Sequence, residues 1–344
     1  MDQIQDLSKR RKAFGEFFHA ELPVLSLAPM QDITDLPFWR LMSRFGGADI
    51  YFTEYFRVTP GYRPEKSILR SIIENPTGRP AVAQIIGNDP AEMARVAKEL
   101  QCYDVAAVDL NLGCPAPVVY RKCAGGGLLR DLPRIDELLG RLREAIDGAF
   151  TVKTRVGFES AAEFDELLEV FSKHSLDLLT VHGRTVLEKY APPVHRDRIA
   201  QAVSALDCPV QANGSVTSAR SAMEMLETTG AAGLMIGRGA IRNPWIFEQI
   251  RNALAGSEVV LPSGEQVLEY VSELYAAVCD PGFSERTHVQ KMKKYMNFIG
   301  EGFEDAAAFL HDIRRCDAKA DFFSICRSHL DHGRPMGLDP LKLA

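Results

Sequence analysis

The sequence predicts an α/β protein that folds as a TIM (β/α)8 barrel and continues into a smaller all-α helical domain. Three observations support this prediction. Short apolar runs alternate with longer amphipathic segments, eight such runs occur between residues 24 and 236, and residues 265–344 contain helical patterns but no good strand pattern. A doubly wound open sheet would show the same alternation, so the count of strands alone does not exclude it.

The eight apolar runs are the predicted strands. Several are continuously apolar, as expected where both faces of a parallel strand are covered. The runs are Val24–Ala28, Ile50–Thr53, Ala81–Ile86, Ala106–Leu110, Phe150–Thr154, Leu178–Val181, Pro209–Ala212 and Gly233–Ile236. The main predicted helices are Pro90–Leu100, Leu132–Ile146, Ala161–Lys173, Thr217–Thr228 and Pro244–Leu254.

Composition divides the chain into three predicted parts. Residues 1–20 form an N-terminal extension, 21–255 form the barrel, and 256–344 form the helical domain. The Gly- and Pro-containing stretch between residues 255 and 264 reads as the connection between the last two parts.

Charge and cysteine content restrict the class of protein. The formal net charge of −6 does not indicate a nucleic-acid partner, so any basic surface must be local. Seven scattered cysteines without a CxxC pair predict neither a metal site nor a disulfide framework. The charged N-terminus is no secretory signal, and no stretch is long enough to span a membrane. We therefore expect a cytoplasmic protein without a membrane association.

The loops after the last two strands are candidates for phosphate binding. Asn213-Gly214-Ser215 and Gly237-Arg238 follow strands seven and eight, where this fold often binds phosphate. Glycines there let backbone N–H groups approach an anion, and the arginine can add a charged contact. The alternative is that both glycines only permit tight turns.

Lys153 lies within an otherwise apolar strand. A buried amine is costly unless it meets an anion or an acceptor, and the electron-rich edge of a reduced flavin is such a partner. The alternative is a lysine that extends to the rim of the barrel. His182, at the end of the next strand, could hydrogen-bond the same ring edge or be purely structural.

Cys114 follows the fourth strand and lies between Gly113 and Pro115 in a loop. A thiol at a strand end can act as a nucleophile or a proton donor. Because its neighbours suggest no catalytic triad, the proton donor is the simpler role. Cys123, nine residues further on, is the competing candidate.

Seven segments together resemble the motifs of the tRNA-dihydrouridine synthases, in the family's order and over roughly residues 24 to 250. They are LAPMQDITD, TEYFRV, DLNLGCPAPVVYRKCAGGGLL, VKTRVG, VHGRT, ANGSV and GLMIGRGAIRNPWIF. The loop that contains Cys114 is the most specific of them. Ser215 stands where the family commonly has an acidic residue.

This resemblance implies an enzyme that binds FMN at the open end of the barrel and uses NADPH to reduce it. It implies that hydride goes to C6 of a tRNA uridine while Cys114 protonates C5. The implied cofactor contacts are Pro29, Met30, Gln31, Gln84, Lys153, His182, Asn213, Gly214, Ser215, Gly237 and Arg238. The implied substrate contacts are Asn111, Arg121, Lys122, Arg155 and Arg184.

The resemblance also implies that the helical domain, residues 256–344, binds tRNA. Its best basic segment is Arg286–Tyr295, although a solvated helix face is the alternative. We expect a monomer. Two other functions remain open at this point: an FMN enzyme acting on a free pyrimidine, as dihydroorotate dehydrogenases do, and a non-catalytic RNA-binding barrel.

Overall fold

The computed structural model describes residues 2–340, which group into two compact units. The first unit comprises the chain up to Gln31, Asp49–Ser215 and Glu224–Ile236. The second comprises Asp32–Ala48, Val216–Met223 and the chain from Gly237 onward.

The first unit contains nine strands, and all of their pairings are parallel. The strands are β1 Val24–Leu27, β2 Ile50–Phe52, β3 Phe56–Arg57, β4 Ala81–Ile86, β5 Ala107–Asn111, β6 Ala149–Arg155, β7 Leu178–His182, β8 Val210–Asn213 and β9 Gly233–Ile236. Pairing runs from β4 in order to β9, then to β1 and β2, and β2 returns to β4. Eight strands thus close into a barrel, while β3 only extends the end of β4. The predicted TIM barrel is confirmed, and the open sheet is excluded.

The helices lie before, between and after the strands. They are α1 Asp2–Phe17, α2 Leu36–Met42, α3 Lys66–Ile73, α4 Pro90–Leu100, α5 Pro117–Tyr120, α6 Leu132–Ala145, α7 Phe164–Phe171, α8 Arg196–Ala205, α9 Ala219–Thr229, α10 Arg238–Arg242, α11 Ile246–Leu254, α12 Gly264–Val278, α13 Glu285–Ile299, α14 Ala306–Ile313 and α15 Lys319–Leu330. The aspartates that precede α4 and α6 cap them, because Asp89 and Asp131 accept hydrogen bonds from first-turn N–H groups. Among the described residues, none of the helices has the length and apolar character needed to cross a bilayer.

The interior of the barrel changes from apolar to polar along the strands. At the N-terminal end, Val82, Ala107 and Leu178 pack with Phe14 of α1 and with Phe18, which directly follows this helix; the two rings are 5.4 Å apart. Side chains alternate between the two faces of a strand. Every second residue after these apolar positions therefore faces the same barrel interior. Those positions are polar: Gln84, Asp109, Asn111, Thr151, Lys153, Arg155, Thr180, His182, Gln211 and Asn213. The barrel is therefore filled by apolar residues at one end and by polar groups at the other.

The second unit is helical from Gly237 to Leu330 and contains α13 near its centre. Tyr295 of α13 stacks on Phe38, with ring centroids 6.0 Å apart, and its hydroxyl donates to the carbonyl of Ile33 at 2.9 Å. Val289 and Met292 on the same helix are fully buried. This helix therefore forms part of the core of its unit.

Candidate functional site

The polar residues at the C-terminal edge of the barrel come from neighbouring strands. Asn111 lies opposite Lys153 in the register of β5 and β6, and Arg155 lies opposite His182 in β6 and β7. His182 lies opposite Asn213 of β8. Because residues in register share one face of a sheet, these five predicted site residues face the same interior.

The loop that carries Cys114 is fixed by the preceding strand. The Asn111 Oδ1 atom accepts hydrogen bonds from the backbone N–H groups of Gly113 and Cys114, each at 3.0 Å. The N–H of Gly126 donates to the Cys114 carbonyl at 3.2 Å. A Cβ on Gly126 would lie 2.9 Å from that carbonyl oxygen, so a larger residue would push the returning chain away. The glycine run thus allows the loop to fold back beside the thiol.

The Cys114 thiol is partly buried and reduced. Burial raises the pKa of this thiol above its ordinary value of 9.0, although a backbone hydrogen bond at Ala116 and the charges of Arg155, Lys153 and Arg57 act in the opposite direction. The sulfur therefore carries its proton at neutral pH, as a proton donor requires. Cys123, in contrast, is exposed in the turn that follows α5.

Gln84 and Asp109 form a buried hydrogen-bonded pair inside the barrel. The Gln84 Nε2 atom donates to Asp109 Oδ2 at 2.8 Å, and the Thr151 hydroxyl donates to Asp109 Oδ1 at 2.6 Å. Burial raises the pKa of Asp109 from 3.8 to about 6, and its two hydrogen bonds and the charge of Lys153 limit the increase. Asp109 was not among the predicted site residues. An acidic residue inside an apolar strand, two positions before Asn111, was the signal that could have identified it.

Lys153 extends from β6 towards β8. Its Nζ atom donates to Asn213 Oδ1 at 3.3 Å, and Asn213 Nδ2 donates to the Met235 carbonyl at 2.7 Å. Burial lowers the pKa of Lys153 from 10.5 to about 8, helped by the neighbouring Arg155 and opposed by Asp109 and Cys114. An anion beside this amine would stabilise its charged form and raise its pKa again, so the position favours a negatively charged ligand.

Two arginines predicted to bind substrate are almost fully buried, each with 1% of its surface exposed. Arg155 donates to the carbonyls of Gly113, Thr185 and Lys189 at 2.7 to 2.8 Å. It thereby joins the Cys114 loop to the loop that follows β7.

Arg184 holds the same β7 loop from another side. It donates to the Ala191 carbonyl at 2.5 Å and to Ser215 Oγ at 2.8 Å. Its Nη1 atom lies 3.3 Å from His182 Nε2, and a guanidinium can only donate. A hydrogen bond from this guanidinium requires an Nε2 atom without a hydrogen, which corresponds to the tautomer with its hydrogen on Nδ1. Tyr190, half exposed in this loop, lies 6.3 Å from that ring.

Glu188 connects two parts of the β7 loop, and the sequence did not predict this role. Glu188 accepts a hydrogen bond from the Thr185 N–H at 2.7 Å, and it lies 2.9 Å from His195 Nε2. These contacts close the loop on itself. The sequence gave no sign that Glu188 pairs with His195, because a turn that contains Pro192 and Pro193 separates these two residues.

The predicted phosphate-binding residues are divided between the two units. In the first unit, Gly214 has φ +129°, and a Cβ there would lie 3.2 Å from His182 Cδ2. Ser215 has φ +50°. In the second unit, Gly237 precedes α10 and Arg238 is the first residue of that helix.

The other predicted contacts lie at the ends of elements. Pro29 and Met30 follow β1 and are partly exposed, and Gln31 is exposed. Arg121 and Lys122 follow α5 and are exposed, so both can meet a large polyanion. Across the described residues, no group of three or more His, Cys, Asp or Glu side chains is arranged to hold a metal ion.

The basic residues of α13 make ion pairs within the second unit. Lys291 pairs with Asp35 at 3.5 Å, and Lys294 pairs with Asp32 at 3.7 Å. Asp317 pairs with a third basic residue, Lys293, at 3.3 Å. These acidic partners reduce the positive potential that the sequence of the helix suggests.

Comparison with known proteins gives a consistent result. Residues 26–331 match the family described as dihydrouridine synthase (Dus). A probable tRNA-dihydrouridine synthase from Rhodobacter capsulatus is 35% identical over 262 residues, which cover 74% of this chain and 80% of the relative. A tRNA-dihydrouridine synthase B from Pseudomonas putida is 36% identical over 258 residues, covering 73% and 76%. The fold resembles that of histamine dehydrogenase from Rhizobium sp. 4-9, with a TM-score of 0.51 at 14% identity over 72% of this chain and 48% of that one.

Proposed function

Because this chain belongs to the dihydrouridine synthase family, we propose that it reduces uridine in tRNA to 5,6-dihydrouridine. Enzymes of this family are flavin-dependent oxidoreductases. The observation that carries the proposal is a partly buried thiol, Cys114, on a loop held by Asn111, with the partly buried cation Lys153 acting on its charge. An enzyme for free pyrimidines is not favoured, since these relatives are named for tRNA.

We propose FMN as the flavin and NADPH as its reductant. Two members of the donor set fit the polar edge of a flavin, since Lys153 offers a cation and His182 an imidazole. Gln84, whose amide is bonded to Asp109 and Asn111, remains a proposed contact. Gly214 leaves a space that a side chain would fill, next to N–H groups suited to phosphate. The remaining proposed contacts are Pro29, Met30, Gln31, Asn213, Ser215, Gly237 and Arg238.

The reaction adds one hydride and one proton across the C5–C6 bond of uracil. When FMN is bound and reduced by NADPH, it supplies the hydride to C6. Cys114 gives the proton to C5, and its thiolate then recovers a proton from solvent. Lys153 and Arg155 would stabilise the thiolate while it exists, because both lower the pKa of this thiol.

A uridine inside folded tRNA must leave its stack to reach the thiol, as in other enzymes that modify bases. We propose that Arg121 and Lys122 contact the tRNA backbone, since both are exposed near Cys114 in the chain. Substrate contacts by Asn111, Arg155 and Arg184 remain predictions; the hydrogen bonds of the two arginines favour positioning of loops.

The proposed division of labour follows the predicted domains. Residues 21–255 would carry the reaction and residues 256–344 would bind tRNA. The ion pairs of α13 argue for contacts through other parts of this domain as well. A cytoplasmic location and action as a monomer remain predictions.

The test replaces Cys114 by Ala in the flavin-loaded protein, with Cys123→Ala as the matched control. We expect Cys114→Ala to keep the yellow flavin absorbance and to reduce tRNA far more slowly, by about 100-fold or more. Cys123→Ala should behave like the wild type. Mass spectrometry of dihydrouridine in tRNA measures both. Unchanged turnover in Cys114→Ala would reject the proton-donor role, and a protein unable to bind flavin would reject the function.

A further inference from the structure

A chain of hydrogen bonds links a buried carboxylate to the backbone of Cys114. Asp109 accepts from Gln84 Nε2 at 2.8 Å, and Gln84 Oε1 accepts from Asn111 Nδ2 at 2.8 Å. Asn111 Oδ1 then accepts from the N–H groups of Gly113 and Cys114. We propose that Asp109 is a positioning residue that sets the direction of this chain and thereby fixes the Cys114 loop.

The direction follows from the chemistry of the carboxylate. An ionised carboxylate only accepts hydrogen bonds, so the Gln84 amide must turn its NH2 towards Asp109. Its oxygen must then face Asn111, which turns its own NH2 towards Gln84. The oxygen of Asn111 is therefore left to face the backbone N–H groups of the loop. Reversing either amide would place NH2 against NH2, or oxygen against oxygen.

Burial makes a reversal of these donors and acceptors energetically costly. Asp109 and Gln84 have no exposed surface, and Asn111 has 7%. Because water has little access to these atoms, a reversed amide would leave a donor or an acceptor unsatisfied, at a cost of about 1 to 3 kcal/mol each. The chain also crosses two neighbouring strands, β4 and β5, so its geometry is held by the barrel.

Other contacts hold the loop but do not replace this chain. Arg155 Nε donates to the Gly113 carbonyl at 2.8 Å, and the Gly126 N–H donates to the Cys114 carbonyl. Both contacts are made to carbonyl groups. The N–H groups of Gly113 and Cys114, in contrast, donate to Asn111. The catalytic importance of the Cys114 thiol depends on the proposed function. The hydrogen-bond chain that holds its loop is independent of that function.

The experiment reverses the chain with substitutions that barely change volume. In Asn111→Asp, carboxylates lie on both sides of Gln84, whose NH2 group faces only one of them and whose oxygen is set against the other. In the double variant Asp109→Asn/Asn111→Asp, Asp at 111 accepts from the loop and from Gln84, while Asn at 109 donates to Gln84 and accepts from Thr151. The net charge of the double variant equals that of the wild type.

The readout is the rate at which iodoacetamide alkylates Cys114 in the flavin-loaded protein, followed by peptide mass spectrometry. Exposed Cys123 serves as the internal reference. We expect the alkylation rate of Cys114 relative to Cys123 to change at least about 10-fold in Asn111→Asp, the effect of one lost buried hydrogen bond. The double variant should return to within about 3-fold of the wild type, a difference within the scatter of a neutral substitution.

Two outcomes would overturn the proposal: a double variant no closer to the wild type than Asn111→Asp, or a double variant that fails to fold. A folded double variant beside an unfolded Asn111→Asp would support it. Dihydrouridine formation is measured separately on the wild type. The expected alkylation pattern without any dihydrouridine would reject the proposed function and keep the positioning role of Asp109, so the two failures can be distinguished.

Discussion

Replacing Lys153 by Met should stabilise the flavin-free protein near pH 7. The substitution keeps the length of the side chain and removes a charge that burial makes costly. The lysine pKa falls from 10.5 to about 8 on folding, a change of 2.5 units that corresponds to about 3 kcal/mol. Solvent at the partly exposed side chain and the lost attraction to Asp109 both reduce this figure. We expect Lys153→Met to be more stable than the wild type by about 1 to 3 kcal/mol.

The pH dependence tests the cause. Between pH 8 and 10.5 the unfolded chain keeps the proton of Lys153 while the folded protein has lost it, so wild-type stability rises with pH in this window. The advantage of Lys153→Met over the wild type should therefore shrink by about 1 kcal/mol between pH 7 and pH 9. Urea unfolding at both pH values measures this, with exposed Lys173→Met as the matched control.

Two results would contradict the claimed cost of burying the charged Lys153 amine. A stability difference that is the same at both pH values would show that the amine does not titrate in this window. A Lys153→Met protein less stable than the wild type at pH 7 would show that the hydrogen bond to Asn213 outweighs the cost of burying the charge. The Lys173→Met control should match the wild type at both pH values.

Two further predictions concern the ends of the barrel. Gly214→Ala should weaken FMN binding at least 10-fold, as judged by flavin fluorescence titration, because φ +129° strains any side chain and its Cβ would lie 3.2 Å from His182. The control Gly333→Ala, with open space around it, should bind FMN normally. Phe14→Ala should lower the free energy of unfolding by about 3 to 5 kcal/mol, because this ring is 2% exposed in the barrel core, while exposed Phe17→Ala should cost less than about 1. Equal urea midpoints for the two Phe variants would contradict the placement of α1.

The barrel was predictable because its signals are local. Val82 and Ile86, for example, belong to a run bounded by turn residues, and the structure has β4 at Ala81–Ile86 as predicted. Helix α4 also has the predicted bounds, since Asp89 and Pro90 mark its start. The position of α1 was not predictable, because its polar sequence gives no sign that Phe14 enters a core formed by distant strands.

The site was predictable in its residue types but not in their partners. Gln84, Asn111 and Lys153 stood out as polar residues on apolar strands. Their hydrogen bonds depend on the register of strands that are 27 to 60 residues apart in the chain, which no local pattern records. The same limit explains why the three backbone carbonyls that accept from the Arg155 guanidinium could not be predicted; its contact with the substrate stays a prediction.

The charges of the titrating groups around Cys114 suit its proposed role as a proton donor. At pH 7, Asp109, with a pKa of about 6, is mostly ionised and can only accept hydrogen bonds, and Lys153, with a pKa of about 8, is mostly charged. Two nearby cations would by themselves favour a thiolate at Cys114, yet burial raises the pKa of the thiol. The backbone N–H groups of Gly113 and Cys114 are both accepted by Asn111. The chain that starts at Asp109 therefore holds the loop, while burial keeps the pKa of the thiol on that loop above its ordinary value, as the proposed proton donor requires.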